Sequence, residues 1–137
     1  MQSLAAMNNP SLLRIAHASY TLLVIAMNFI SLNPKESPLN DTFVLSFRLD
    51  YIVHFLVFFL WASLTRAAYR PHFSQNFSRA VLWVAAGLLL AVVSEGLQLF
   101  IPYRSFNIND IVANTIAVLI GSLLFIYYPN KFVKKNA

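Results

Sequence analysis

The chain has 137 residues, 58% of them hydrophobic and 11% charged, with a formal net charge of +5. A mean hydropathy of +0.63 exceeds what a water-soluble domain of this length can hide in one core, so a soluble globular protein is excluded and a single membrane domain over residues 1–137 is expected. The sequence contains no cysteine, which excludes disulfides and thiolate-bound metals.

A membrane helix needs about 20 mostly apolar residues to cross a hydrocarbon core of about 30 Å. The gaps between charged residues allow four such helices, so the predicted fold is all-α, a compact bundle of four transmembrane helices. The first covers 12–32 (LLRIAHASYTLLVIAMNFISL). No small-residue cleavage site follows it, and its apolar run is long for a signal peptide, so it reads as a retained helix. The second covers 49–69, the third 80–100 and the fourth 110–128. All six prolines fall outside these ranges, as expected of residues that break the helical ladder. Tyr51, Tyr69, Tyr103, Tyr127 and Tyr128 lie near predicted ends, where amphipathic rings favour the membrane interface. Strands of a barrel would alternate in polarity every second residue, and these runs do not.

Basic residues set the expected orientation. With four crossings, Arg14, Arg66, Arg70, Arg79, Lys131, Lys134 and Lys135 share one side, against Lys35, Arg48 and Arg104 on the other. The positive-inside rule then puts both termini in the cytoplasm of a multi-pass protein of the cell membrane. The pI of about 9.8 follows from this topology and from the basic tail KFVKKNA facing anionic lipid, so no nucleic acid is expected as a partner. Every acidic residue (Glu36, Asp41, Asp50, Glu95, Asp110) falls toward the outer side.

Depth places the polar residues together. Asp50 and His54 lie one turn apart at the outer end of the second helix, Glu95 and Gln98 in the last two turns of the third, and Asp110 and Asn114 in the first two of the fourth. On the third helix Gly87, Ala91, Ser94 and Gln98 share a stripe at 100° per residue, with Glu95 at its edge. Asp110, Asn114, Ala117 and Gly121 form another on the fourth. Small residues at this spacing let membrane helices approach closely, so both stripes are expected to face the bundle interior. On the first helix His17, Thr21, Val24, Asn28 and Ser31 make a weaker counterpart. Asp110 also has a plain local task as N-cap of the fourth helix, for which Asn109 competes.

The pattern E-x-x-Q (Glu95, Gln98), Arg104 with Ser105, D-x-x-x-N (Asp110, Asn114) and Gly121 resembles the signature of the VanZ-like membrane proteins. The stretch LDYIVHFLVFF, with Asp50, His54 and Phe55, is similar to that family's second motif. Tyr51 stands where the family has lysine, with Arg48 nearby, and Ala117 where it often has glycine. The resemblance implies a small integral membrane protein of a family whose namesake is linked to low-level resistance to teicoplanin.

Three mechanisms fit Asp50, His54, Glu95, Gln98, Arg104, Ser105, Asp110 and Asn114. The first is a pocket open to the outer leaflet that binds the polar head of a membrane lipid or lipid-linked cell-wall precursor. Arg104 meets an anion there, and Glu95, Gln98 and Asn114 orient hydroxyl or amide groups. The second is catalysis, with Glu95 or His54 as general base and Arg104 on an oxyanion or phosphoryl group; Ser94 and Ser105 lack the motif of a covalent nucleophile. In the third, His54 with Asp50, Glu95 or Asp110 holds a divalent cation, although no H-x-x-x-H type spacing is present. The first is preferred, with no metal and no cofactor expected. A bundle this small leaves room for a second copy of the chain to complete the pocket as a homo-oligomer.

Overall fold

The computed structural model describes residues 9–29, 42–44, 47–75, 77–102 and 106–127. Helix α1 spans Pro10–Met27, α2 Leu49–Gln75, α3 Phe77–Gln98 and α4 Ile108–Tyr127. Between α1 and α2 lie two short strands, β1 (Phe43–Val44) and β2 (Phe47–Arg48), paired antiparallel with Phe43 opposite Arg48. The fold is all-helical apart from this short ladder, whose two residues per strand are too few to leave an alternating pattern in the sequence. The strands lead straight into α2, whose Leu49 N–H donates to Thr42 O at 2.8 Å and so finds a partner outside the helix.

Local chemistry sets the helix ends. Asn9 caps α1 by accepting from Ser11 N at 3.0 Å, and Pro10 follows at the position where its missing N–H costs nothing. Asn107 caps α4: its Oδ1 accepts from Asn109 N at 3.1 Å, and Asp110 lies in the first turn. That corrects the assignment of Asp110 or Asn109 as cap; three amide or acid side chains within four residues give the same local signal, and only Asn107 precedes the first helical turn. The membrane-capable part of α2 ends at Tyr69, as expected with Pro71 outside it; the backbone breaks there (φ −120°, ψ 17°) and a helical segment follows to Gln75.

The bundle is apolar outside, and inside it small and polar side chains share the core with Val24, Phe58, Trp61 and Val118. Leu22 (67% exposed), Leu82 (68%) and Phe100 (83%) point outward, as side chains solvated by lipid do. The predicted stripes face inward: Gly87, Ala91, Ser94, Glu95 and Gln98 on α3 and Asp110, Asn114, Ala117 and Gly121 on α4 are buried. A Cβ at Gly87 would lie 2.7 Å from Trp61 Cζ3 and 2.9 Å from Val118 Cγ1, and one at Gly121 2.8 Å from Ala62 Cβ. Gly87→Ala is therefore expected to cost about 1–3 kcal/mol through overpacking. Gly96→Ala, whose methyl meets nothing within 4 Å, should be neutral or gain up to about 1 kcal/mol of helix propensity. Thermal unfolding in detergent, followed by circular dichroism, checks both; equal losses would mean that α3 does not pack tightly at Gly87.

Helix α1 is tied to α2 by polar contacts. Thr65 Oγ1 donates its one proton to Trp61 O at 2.8 Å, so it accepts from His17 Nε2 at 2.8 Å. Trp61 Nε1 donates to Thr21 Oγ1 at 3.0 Å, and Tyr20 OH to Val57 O at 3.1 Å. The rings of Trp61, Tyr69 and Trp83 surround His17 at 5.3–5.7 Å between centroids. These contacts hold the far end of α1 in register, which brings Asn28 to the polar end of the bundle.

Candidate functional site

The three largest fully buried side chains among the described residues are Glu95, Val118 and Asn114. Two of the three are polar, in a bundle whose walls are aliphatic. Their surroundings follow from helix register: Glu95 and Gln98 are one turn apart on α3, Asp110 and Asn114 one turn apart on α4, and His54 reaches both from α2.

His54 is the junction. Its Nδ1 lies 3.2 Å from Asn114 Oδ1 and 3.5 Å from Glu95 Oε1, and its Nε2 lies 3.7 Å from Asp110 Oδ2. The imidazole side chain is 28% exposed, against 1% for Glu95 and 10% for Asp110. The cluster is thus a polar floor that opens along one histidine face.

The network fixes donors and acceptors inward from α1. Asn28 Nδ2 donates to Val24 O (3.1 Å) and Ile25 O (3.2 Å), which leaves its Oδ1 to accept. Gln98 Nε2 donates to that oxygen across a longer 3.4 Å and to Glu95 Oε2 at 3.0 Å. Glu95 is held as an acceptor from below, with its other oxygen turned to His54. Asn114 Nδ2 is buried with no hydrogen-bond partner among the described residues, and a donor in that condition costs about 1–3 kcal/mol unless something accepts from it.

Asp50 stands at the rim. Its carboxylate is paired with the Arg48 guanidinium (Nε to Oδ1 3.2 Å) and accepts from Tyr51 N at 2.9 Å. The Arg48 guanidinium also lies over the Tyr51 ring, 4.8 Å from its centroid. Tyr51 OH accepts from Asn109 Nδ2 at 3.3 Å, which links the start of α2 to the start of α4. Asn107 Nδ2 donates to Asp110 Oδ1 at 3.0 Å, leaving Oδ2 for His54.

Of the residues predicted from sequence, His54, Glu95, Gln98, Asp110 and Asn114 converge, and Asp50 lies beside them with Arg48. Arg104 and Ser105 lie outside the described residues. Asn28, only weakly signalled by the sparse polar stripe of α1, belongs to the network. Asn107 was missed, because its role depends on where α4 begins. No H-x-x-x-H type spacing marks a metal site, yet His54, Glu95 and Asp110 bring one ligand atom each within 4.8 Å of one another.

The VanZ/LLP1 family profile matches residues 3–129, a range that takes in all four helices and every side chain of this cluster. The chain belongs to the VanZ/LLP1 family. It is similar to an uncharacterized protein of Schizosaccharomyces pombe (strain 972), C11E3.10, with 29% identity over 120 residues, which cover 86% of this chain and 67% of the yeast protein. No solved structure matches. Helices Pro10–Met27, Leu49–Tyr69 and Phe77–Gln98 are long and apolar enough to cross a membrane, while α4 is apolar but shorter over Ile108–Leu124. With family membership, these helices make this a membrane protein. In this VanZ/LLP1 chain the E-x-x-Q and D-x-x-x-N spacings set two polar pairs on facing helices, with the histidine of the α2 motif between them.

Proposed function

We propose that the polar end of the bundle binds the head group of a cell-envelope lipid or lipid-linked cell-wall precursor from the outer leaflet of the cytoplasmic membrane. One observation carries this reading: Glu95 and Asn114, both 0% exposed, meet the partly exposed His54 at one end of an otherwise apolar bundle. Ionisable and amide groups at membrane depth are costly and are kept where they do something. The apolar flanks suit acyl chains, and the polar floor suits hydroxyl, amide or phosphate groups. Arg104, in the segment between α3 and α4, is the proposed partner for an anion, because a guanidinium meets phosphate or carboxylate bidentately. Should the ligand be a cell-wall precursor, masking it would contribute to resistance to glycopeptides of the teicoplanin type.

The reading requires both termini in the cytoplasm. A reporter fused after Ala137 and active only outside the membrane should stay silent; strong activity there would place the polar end on the inner side. Native mass spectrometry of detergent-purified protein tests binding directly. A co-purified amphiphile of defined mass, lost on Glu95→Ala substitution, is the expected result, and a wild-type protein free of lipid at low detergent would defeat the proposal.

A second reading, an enzyme acting on the same class of substrate, is favoured by the placing of His54 between two carboxylates. Such an arrangement can hold and move a proton at Nδ1 or Nε2. The co-purified lipid separates the two readings, since only an enzyme changes its mass on incubation.

A further inference from the structure

We propose that His54, Glu95 and Asp110 together hold one divalent transition-metal cation, Zn²⁺ or Mn²⁺, whose open coordination positions take an anionic oxygen of the bound head group. The donor set is one imidazole and two carboxylates, from three different helices. Imidazole favours first-row transition metals and carboxylates favour harder ones, so a mixed set suits Zn²⁺ or Mn²⁺ over Ca²⁺ or Mg²⁺.

Geometry supports it. Ligand atoms around a tetrahedral ion with bonds of about 2.1 Å sit about 3.4 Å apart. Glu95 Oε1 lies 3.5 Å from His54 Nδ1 and Asp110 Oδ2 3.7 Å from Nε2, so whichever ring nitrogen takes the ion has one carboxylate near that separation, and one ligand atom from each of the three residues falls within 4.8 Å of the others. One imidazole nitrogen goes to the ion and the other keeps a hydrogen bond to a neighbouring side chain, the arrangement that fixes the tautomer of metal-bound histidines.

Charge and hydrogen bonding point the same way. Carboxylates buried among apolar side chains demand compensation, and a divalent cation balances both Glu95 and Asp110 while leaving the imidazole neutral. Independently, Asn114 Nδ2 is a fully buried donor with no acceptor among the described residues, on an amide whose Oδ1 already touches His54. An oxygen bound to the ion, from water or from a phosphate group, supplies that acceptor. Three protein ligands leave coordination positions free for it.

The bridging role rests on the head-group reading; the ion itself does not. Detergent-purified full-length protein, stripped with a chelator and dialysed against Zn²⁺ or Mn²⁺ without added lipid, should bind one ion per chain. His54→Gln and Asp110→Asn, near-isosteric changes, should weaken binding by at least the factor of about 10–100 that loss of an outer-shell partner costs. His17→Gln, at the other histidine cluster, should bind as wild type does. Absence of saturable binding, or unchanged affinity in both His54→Gln and Asp110→Asn, overturns the site. Pulsed EPR of the Mn²⁺-loaded wild-type protein needs no variant: hyperfine coupling to an imidazole nitrogen is expected, and its absence also overturns the site. Lipid that stays bound after chelation sinks the bridging role alone, whereas an ion bound by a protein that never carries lipid sinks the head-group reading alone.

Discussion

Glu95→Ala should abolish lipid co-purification while the protein still inserts and folds. Its Oε2 accepts from Gln98 Nε2 at 3.0 Å and its Oε1 faces His54 Nδ1 at 3.5 Å, so truncation removes the acceptor that organises both neighbours. A hydrogen bond to a charged group is worth about 1.5–3 kcal/mol, and at about 1.4 kcal/mol per factor of ten the loss of one such contact costs roughly 10- to 100-fold in affinity. Glu95→Gln divides the candidate roles further. It keeps the size and most of the hydrogen bonding but removes the charge and the exchangeable proton. A pocket that needs only a polar contact should keep most of its lipid, whereas a general base should lose nearly all turnover. Binding retained with the cellular phenotype lost would raise the enzyme reading above the binder. Failure of Glu95→Ala to accumulate in the membrane would instead make the cluster a structural tie between helices.

The second large effect is expected at His54. His54→Leu puts an apolar side chain of similar size in place of the imidazole that faces Glu95, Asp110 and Asn114 from one position. Each buried polar group left without its partner costs about 1–3 kcal/mol, and Glu95 and Asn114 stay fully buried when the imidazole is gone. Unfolding in mixed micelles by titration with a denaturing detergent measures the loss. Adding Glu95→Gln to His54→Leu should recover part of it, with an interaction energy of about 0.5–3 kcal/mol, because an amide can turn either a donor or an acceptor toward the groups that the imidazole leaves. A loss below about 1 kcal/mol in the single variant, or strict additivity in the double one, would show that these side chains do not form one network. Such a cost is tolerable in a protein only where the group serves a purpose, so the stability measurement and the binding measurement at Glu95 belong together.

Much of this arrangement is legible before any fold is drawn. The helices follow from apolar runs between charges, because lipid leaves backbone groups no partner but their own helix. Facing is legible for α3 and α4 because Gly87, Ala91, Ser94 and Gln98, and Asp110, Asn114, Ala117 and Gly121, repeat at the helical period. The tight contacts at Gly87 and Gly121 explain why those residues are small. For α1 the polar stripe is sparse, so the place of Asn28 depends on how Trp61, Thr65 and Tyr20 lock α1 against α2. Asn107, Asn109 and Asp110 carry nearly the same capping chemistry, and their roles separate only once α4 begins at Ile108. The end of the second membrane helix at Tyr69 is legible from the charges and Pro71 that follow it, whereas the β1–β2 ladder is too short to leave a period.

The sequence by itself determined a membrane protein of helices with its rare polar residues gathered at one end, because hydropathy, depth and periodicity are properties of segments. Only the tertiary structure decided that His54 faces Glu95, Asp110 and Asn114 at once, and that Asp50 belongs instead with Arg48. A rotation of α2 by one residue, about 100°, would leave every segment property unchanged and carry the imidazole away from both carboxylates. What selects the observed rotation is the packing of Trp61 against Gly87 and of Ala62 against Gly121, where close approach is possible only in one register.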